Sequence, residues 1–215
     1  MPDRPDATRA PGLRIAPLSP ADLPAVVALH TRAFPDAALT AFGPEALRRY
    51  YHWLLDGPHD AALTGAWQHQ SLVGFCAAGV FRGAMSGFLR ANRSYLAAHV
   101  LRHPRLVLSP LIRDRIAAAL RITLRFSRLG RAAAASSASA PSFGILSIAT
   151  APAVRGAGVG RALMAEAEGR ARGTNHARMT LTVHPDNARA VYFYEQLGWT
   201  RTGEPWTGAM TRELI

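Results

Sequence analysis

Between Arg155 and Arg161 the chain reads Arg-Gly-Ala-Gly-Val-Gly-Arg, three glycines between two arginines. Glycine has no Cβ, so backbone N–H groups there can come close to a ligand. An apolar run, Phe143 to Thr150, precedes the stretch, and a helical pattern follows it to about Arg172. The first amides of a helix have no partner within the helix, and the helix dipole adds positive potential at the same end. A strand, a glycine-rich turn and a helix start therefore make a seat for an anion, and a diphosphate suits such a seat. Arg155 and Arg161 add fork-shaped donors for its oxygens. The stretch is not a Walker-type phosphate loop, because no Gly-Lys-Ser/Thr follows. It is a poor dinucleotide fingerprint as well: Gly156, Gly158 and Gly160 recur every second residue, and no acidic residue ends a second strand about 20 residues on. A glycine-rich turn also tightens ordinary connections, so the stretch needs a second signal beside it.

The next segment supplies one. Met179 to Val183 reads as a short strand. His184-Pro185-Asp186-Asn187 follows as a turn with a helix-capping residue at its end, and Ala188 to Leu197 reads as a helix closed by Gly198 and Trp199. Arg155-x-x-Gly158-x-Gly160 after a strand resembles the acyl-CoA loop of the GNAT superfamily of N-acyltransferases. Asn187-x-x-Ala190-x-x-x-Tyr194-Glu195-x-Leu197-Gly198-Trp199 resembles that superfamily's second signature. The two occur in the superfamily's order and spacing, and the close match covers about residues 143–200.

The resemblance implies acyl transfer from acetyl-CoA, a cosubstrate, to a primary amine, with no metal ion. Such a transfer needs a thioester carbonyl held near a neutral amine, donors facing the carbonyl oxygen, and a proton for the departing thiolate. By resemblance, the amides of the loop, with Arg155, Gly156, Gly158, Val159, Gly160 and Arg161, hold the diphosphate. Backbone groups of Ile148 and Thr150 on the fourth strand pair with the pantetheine arm where the fourth and fifth strands splay. Asn187 contacts the coenzyme, and Tyr194 is the general acid that protonates the thiolate. A phenol with a pKa near 10 keeps its proton at neutral pH and suits that role. Each assignment has a plainer alternative: Tyr194 as a packed helix aromatic, Asn187 as a helix cap only, Arg155 as a solvated charge. Some relatives use a glutamate on the fourth strand as general base, and Gly144 to Thr150 contains no carboxylate. His30, Asp36, Glu45, His52 and His184 are substitutes, and a water relay or an amine arriving neutral would need none of them.

The elements that must position these residues follow from the patterning. Leu13 to Pro17 reads as a first strand, and Ser19-Pro20-Ala21-Asp22 as a cap opening a helix that runs to about Ala33. Phe34-Pro35-Asp36 breaks that pattern. A second helix spans Pro44 to about Leu55, and two strands, Ala61 to Gln68 and Ser71 to Phe81, meet at His69-Gln70. This order matches the superfamily's, and the resemblance implies an α/β fold of the α+β kind: a GNAT-type mixed, mostly antiparallel central sheet flanked by helices, in one domain over 13–215 behind a disordered tail, 1–12. Residues 82–142 depart from the superfamily's short connection between third and fourth strands. Ser94 to Val100 and Leu111 to Leu129 read as helices, the second with Ile112, Ile116 and Leu120 on one side and Arg121, Arg125 and Arg128 on the other. Arg131 to Ser142 reads as an Ala/Ser-rich tether.

Charge follows the same division. The net charge is +11, and all 25 basic residues are arginine. Residues 82–142 hold 11 arginines and one acid, Asp114. Without lysine, Schiff-base chemistry is excluded. The basic segment reads as an added subdomain packed on the core, or as a surface for an acidic partner, a phosphate-bearing acceptor or an anionic membrane interface. Nucleic acid is not expected, since aromatic interleaving is sparse. The lone Cys76, between Phe75 and Ala77, reads as a buried strand thiol. A proline-rich, polar start and the lack of an apolar run of about 18 residues point to a soluble, cytoplasmic protein. The acceptor expected is a small amine such as an amino sugar, and Phe34 to Gly43 followed by Tyr50-Tyr51 faintly resembles acetyltransferases associated with bacterial surface polysaccharides. A protein N-terminus is a rival acceptor, and a non-enzymatic acyl-CoA-binding module is a rival class. Oligomeric state is not fixed by the sequence.

Overall fold

A computed structural model describes residues 12–104, 106 and 142–214. The chain opens with strand β1 (Leu13–Pro17) and a single 3-10 turn, Pro20–Asp22. The Ser19 hydroxyl and amide both donate to the Asp22 carboxylate at 2.8 Å, which fixes the entry to α1 (Leu23–Ala33). Pro24 is its second residue, where a missing N–H breaks no helical bond. A four-residue helix, α2 (Ala38–Ala41), leads to α3 (Pro44–Asp56). In α3 the buried residues are Ala46, Leu47, Tyr50, Tyr51 and Leu54, one stripe at helical spacing. Strands β2 (Asp60–Gln68) and β3 (Ser71–Val80) form a hairpin whose turn places His69 at φ 55°.

Helices α4 (Ala84–Ala91) and α5 (Arg93–Arg102) follow β3. The pattern of residues 82–93 gave no hint of α4, while α5 contains the expected helix at Ser94 to Val100. The expected helix at 111–129, the tether from 131 and the N-terminal tail to residue 11 lie outside the described residues. Strand β4 (Phe143–Thr150), helix α6 (Val159–Gly173), strand β5 (Arg178–Thr182) and helix α7 (Ala188–Glu195) agree with the sequence reading to within two residues at each end. Two strands beyond Trp199 complete the sheet: β6 (Thr200–Arg201) and β7 (Ala209–Glu213).

The seven strands run in the order β1-β2-β3-β4-β5-β7-β6, and every pairing except β4 with β5 is antiparallel. Alternation along β3 divides the core. Cys76 and Ala78 face α6, whose Val159, Leu163, Met164, Ala167 and Ala171 are buried against them. Phe75 and Ala77 face α1, α3 and α4 on the other side. Gly74 allows α6 to sit low on the sheet, because a Cβ there would lie 3.0 Å from Val159 and 3.1 Å from Leu163. Cys76 is buried as expected, and burial pushes its thiol up to about 12. Among the described residues no helix is long and apolar enough to cross a membrane.

Candidate functional site

The parallel pair β4–β5 is short. Phe143, Gly144 and Ile145 pair with Met179, Thr180 and Leu181, and the two strands then part. A bulge at Leu146 coincides with the parting: Ala78 pairs with Ile145 and Ala77 with Ser147, leaving Leu146 without an opposite residue on β3. From Ser147 to Thr150, β4 pairs with β3 alone. The Ala151 amide donates to Val73 on the β3 side at 2.8 Å. With the strand's two-residue alternation, Ile148 and Thr150 therefore direct their amide and carbonyl groups into the gap.

The turn after β4 carries the glycines. Gly156 (φ 83°) and Gly158 (φ 78°) lie in the left-handed region that favours glycine. Gly160 matters for packing instead. It is helical, and a Cβ there would meet the Phe193 ring of α7 at 3.2 Å. Ala162 makes the first bond of α6, to the Gly158 carbonyl. Among the described residues, the amides of Gly156, Gly158, Val159, Gly160 and Arg161 donate to no protein acceptor. Arg155, Arg161 and Arg189 form no ion pair among those residues. Free amides at a helix start and three uncommitted guanidiniums make the cation-rich end of a cleft of about 490 Å³.

The ten residues assigned by resemblance to the coenzyme and to the general acid all line this one cleft: Ile148, Thr150, Arg155, Gly156, Gly158, Val159, Gly160, Arg161, Asn187 and Tyr194. Sequence reasoning gave the stretch from Ala33 to Leu55 to the acceptor pocket, and Ala33 and Phe34 at the end of α1 line this cleft; it missed the lining role of Arg189 and Phe193 on α7. The Asn187 carboxamide oxygen accepts from the Ala190 amide at 3.1 Å, so Asn187 caps α7. Its NH2 group is left facing no protein acceptor among the described residues, and capping and ligand contact are compatible. Tyr194 is 8% exposed and packs against Phe193 and Trp199. Burial, with the Cys76 thiol beside it, raises the phenol well above its ordinary pKa.

Residues 23–199 match the family model of the Acetyltransferase (GNAT) family. The chain belongs to that family. Solved structures agree in fold. The PaiA N-acetyltransferase from Thermoplasma acidophilum, in complex with coenzyme A, is 14% identical, with 94% of this chain and 98% of that one covered at a TM-score of 0.56. The ribosomal-protein-S18-alanine N-acetyltransferase from Escherichia coli is 14% identical, covering 94% of each chain at a TM-score of 0.54. An aminoglycoside N-acetyltransferase in complex with CoA is 15% identical, covering 89% of this chain and 90% of that one at a TM-score of 0.56. No curated protein matches the chain in sequence. As a GNAT acetyltransferase, the protein is an acyl-CoA-dependent N-acyltransferase.

Within this GNAT chain, none of the five candidate bases lines the cleft. Glu45 is bound by Arg48 at 2.8 Å and Arg49 at 2.7 Å, and the Arg48 hydrogen bond foremost holds its carboxyl below the usual range. His52 pairs with Asp56 at 3.1 Å on an exposed face of α3. Asp36 is exposed between α1 and α2. His184 is exposed and accepts from the Asp186 amide. His30 is buried one turn before Phe34; burial lowers its pKa to about 4, so its imidazole is neutral near pH 7. No cluster of three or more His, Cys, Asp or Glu suited to a metal ion occurs among the described residues.

Proposed function

We propose that the protein moves the acetyl group of acetyl-CoA directly onto a primary amine in the cleft between β4 and β5. The observation that carries this reading is a row of amides without protein partners among the described residues at the start of α6, in the same cleft as a buried, protonated Tyr194. The diphosphate takes the loop amides and Arg155 and Arg161. The pantetheine arm lies along Ile148 and Thr150 as an added strand would, and Asn187 contacts it from α7. The amine nitrogen attacks the thioester carbon, the C–N bond forms and the C–S bond breaks. Tyr194 gives its proton to the leaving sulfur. The proton shed by nitrogen restores the phenol through water in the cleft, so the amine enters neutral and no metal ion is needed.

The acceptor is a small amine such as an amino sugar. An uncharged groove of about 330 Å³, whose lining includes Phe81, Leu146, Thr180, Thr182, Thr202 and Thr211, lies over the β4–β5 pairing and the adjoining β6 and β7, on the face opposite α6. Hydroxyls and short apolar surfaces suit a polyhydroxylated molecule of that size. Structural neighbours are named for an aminoglycoside and for a protein's alanine, so a protein N-terminus is the rival acceptor. The basic composition of residues 82–142 favours acceptors bearing phosphate or carboxylate groups. Use of acetyl-CoA goes with work in the cytoplasm. A thiol-release assay over a panel of amino sugars, polyamines and alanyl peptides tests the reading. Turnover on an amino sugar supports it, turnover on the peptide alone shifts the acceptor, and release with none contradicts it.

A further inference from the structure

Three hydroxyl and imidazole groups from three elements meet on the sheet face opposite α6. Nδ1 of His30, on α1, lies 2.7 Å from the Tyr51 hydroxyl on α3. That hydroxyl lies 3.2 Å from Oγ of Ser147 on β4, the first residue beyond the bulge. The inner two members are deeply buried: His30 is 8% exposed and Tyr51 is 1% exposed. They sit among Phe34 and Phe75 in a core made mostly of leucine, valine, alanine and aromatic side chains. Nε2 of His30 is buried and has no partner among the described residues. A leucine or phenylalanine would fill this volume without stranding a nitrogen, so packing alone gives no reason for the pair.

The reason lies at the outer end of the chain. Ser147 is only half-buried, and it directly precedes Ile148 and Ala149, which line the cleft. A neutral imidazole carries one hydrogen, on either nitrogen. If Nδ1 accepts, hydrogens run from Ser147 to Tyr51 to His30, and both lone pairs of Ser147 remain. If Nδ1 donates, Tyr51 donates to Ser147, and one lone pair remains. In both arrangements Ser147 Oγ keeps an acceptor position that no protein donor fills among the described residues. A thioester is attacked by the nitrogen lone pair, so the nitrogen's hydrogens must point elsewhere, and among the described residues no carboxylate lines the cleft to receive one.

Resting on the acetyl-transfer reading above, we infer that Ser147 Oγ accepts a hydrogen bond from the acceptor amine and so aims its lone pair at the thioester. Tyr51 and His30 are positioning residues that act through Ser147. This gives the β4 strand, which has no glutamate, a neutral group for the amine.

Thiol release by the full-length protein tests this with glucosamine, spermidine and an alanyl peptide as probes. The variants are Ser147→Ala, Tyr51→Phe, their double combination and Ser147→Thr. Each of the first two should lower kcat/KM for the amine about tenfold while the KM for acetyl-CoA stays within about twofold. The double variant should be no worse than Ser147→Ala, because Tyr51 acts through Ser147. Ser147→Thr keeps the hydroxyl and should recover most of the rate. Wild-type rates in Ser147→Ala, or losses that simply add in the double variant, overturn the inference. If Tyr51→Phe unfolds, Ser147→Ala and Ser147→Thr decide alone. Wild-type protein silent on every probe would fail the acetyl-transfer reading itself, a result distinct from an active enzyme indifferent to Ser147.

Discussion

Tyr194 carries a phenol whose proton is held by burial, and the chemistry proposed for it is the delivery of that proton to sulfur. Tyr194→Phe keeps the ring and its contacts with Phe193 and Trp199. The expected result is a fall in kcat of about a hundredfold with CoA affinity changed less than about twofold, since general acids contribute roughly 10²–10⁴ in rate. Equal turnover would remove Tyr194 from the chemistry. Gly158 has the opposite profile. At φ 78° a side chain is strained, and an aspartate would set a negative charge among amides proposed to bind phosphate. Gly158→Asp should abolish CoA binding in calorimetry, and unchanged affinity would refute the seat. His30 makes a prediction about stability. Its folded pKa of about 4 lies below the ordinary 6.5, so the unfolded chain binds the proton first as pH falls. Stability is full above pH about 6.5, declines between about 6.5 and about 4, and then levels off, a contribution on the order of 2–3 kcal/mol. Urea unfolding of wild type and His30→Gln at several pH values should show a shallower slope in the variant. Identical slopes would show that His30 is not the group responsible.

The helices and strands around the cleft were legible where packing and local preference agree. Pro44 opens α3, and a capping serine precedes α1. The pattern was silent where they conflict. Helix α4 contains Gly87, a poor helix former, yet a Cβ there would lie 2.6 Å from Trp53, so tertiary contact selects the glycine. Strands β6 and β7 are two and five residues long and separated by Gly203, Pro205 and Gly208, and β7 finds its partner β5 far away in sequence. Gly160 was read as access to an amide, whereas its neighbour Phe193 gives it a packing role as well. The bulge at Leu146 leaves no mark in the apolar run from Phe143 to Thr150, although it sets which residues face the gap. Helix α6 is anchored by Leu163, which is fully buried below the first turn. Leu163→Ala should cost about 2–5 kcal/mol in urea unfolding, the range for emptying such a site. A cost below about 1 kcal/mol would mean that the start of α6 is not held by this contact.

Across the whole molecule, one parallel pairing in an otherwise antiparallel sheet creates the cleft. Because β7 inserts between β5 and β6, β5 is held on its far side and can leave β4 after three residue pairs. Arg212 of β7 bonds both Glu168 of α6 and the Leu197 carbonyl beyond α7, tying the two walls of the cleft to β7. The ten candidate residues came from two local signatures, and the fold brings both to one cavity. The His30–Tyr51–Ser147 chain was not legible in the same way, because it joins α1, α3 and β4, far apart in sequence. The most direct measurement is a crystal structure with acetyl-CoA bound. The diphosphate should lie within about 3 Å of the Gly158 and Gly160 amides, with the thioester sulfur turned to the Tyr194 hydroxyl. A coenzyme bound outside the gap between β4 and β5, or one whose sulfur points away from Tyr194, would contradict the account.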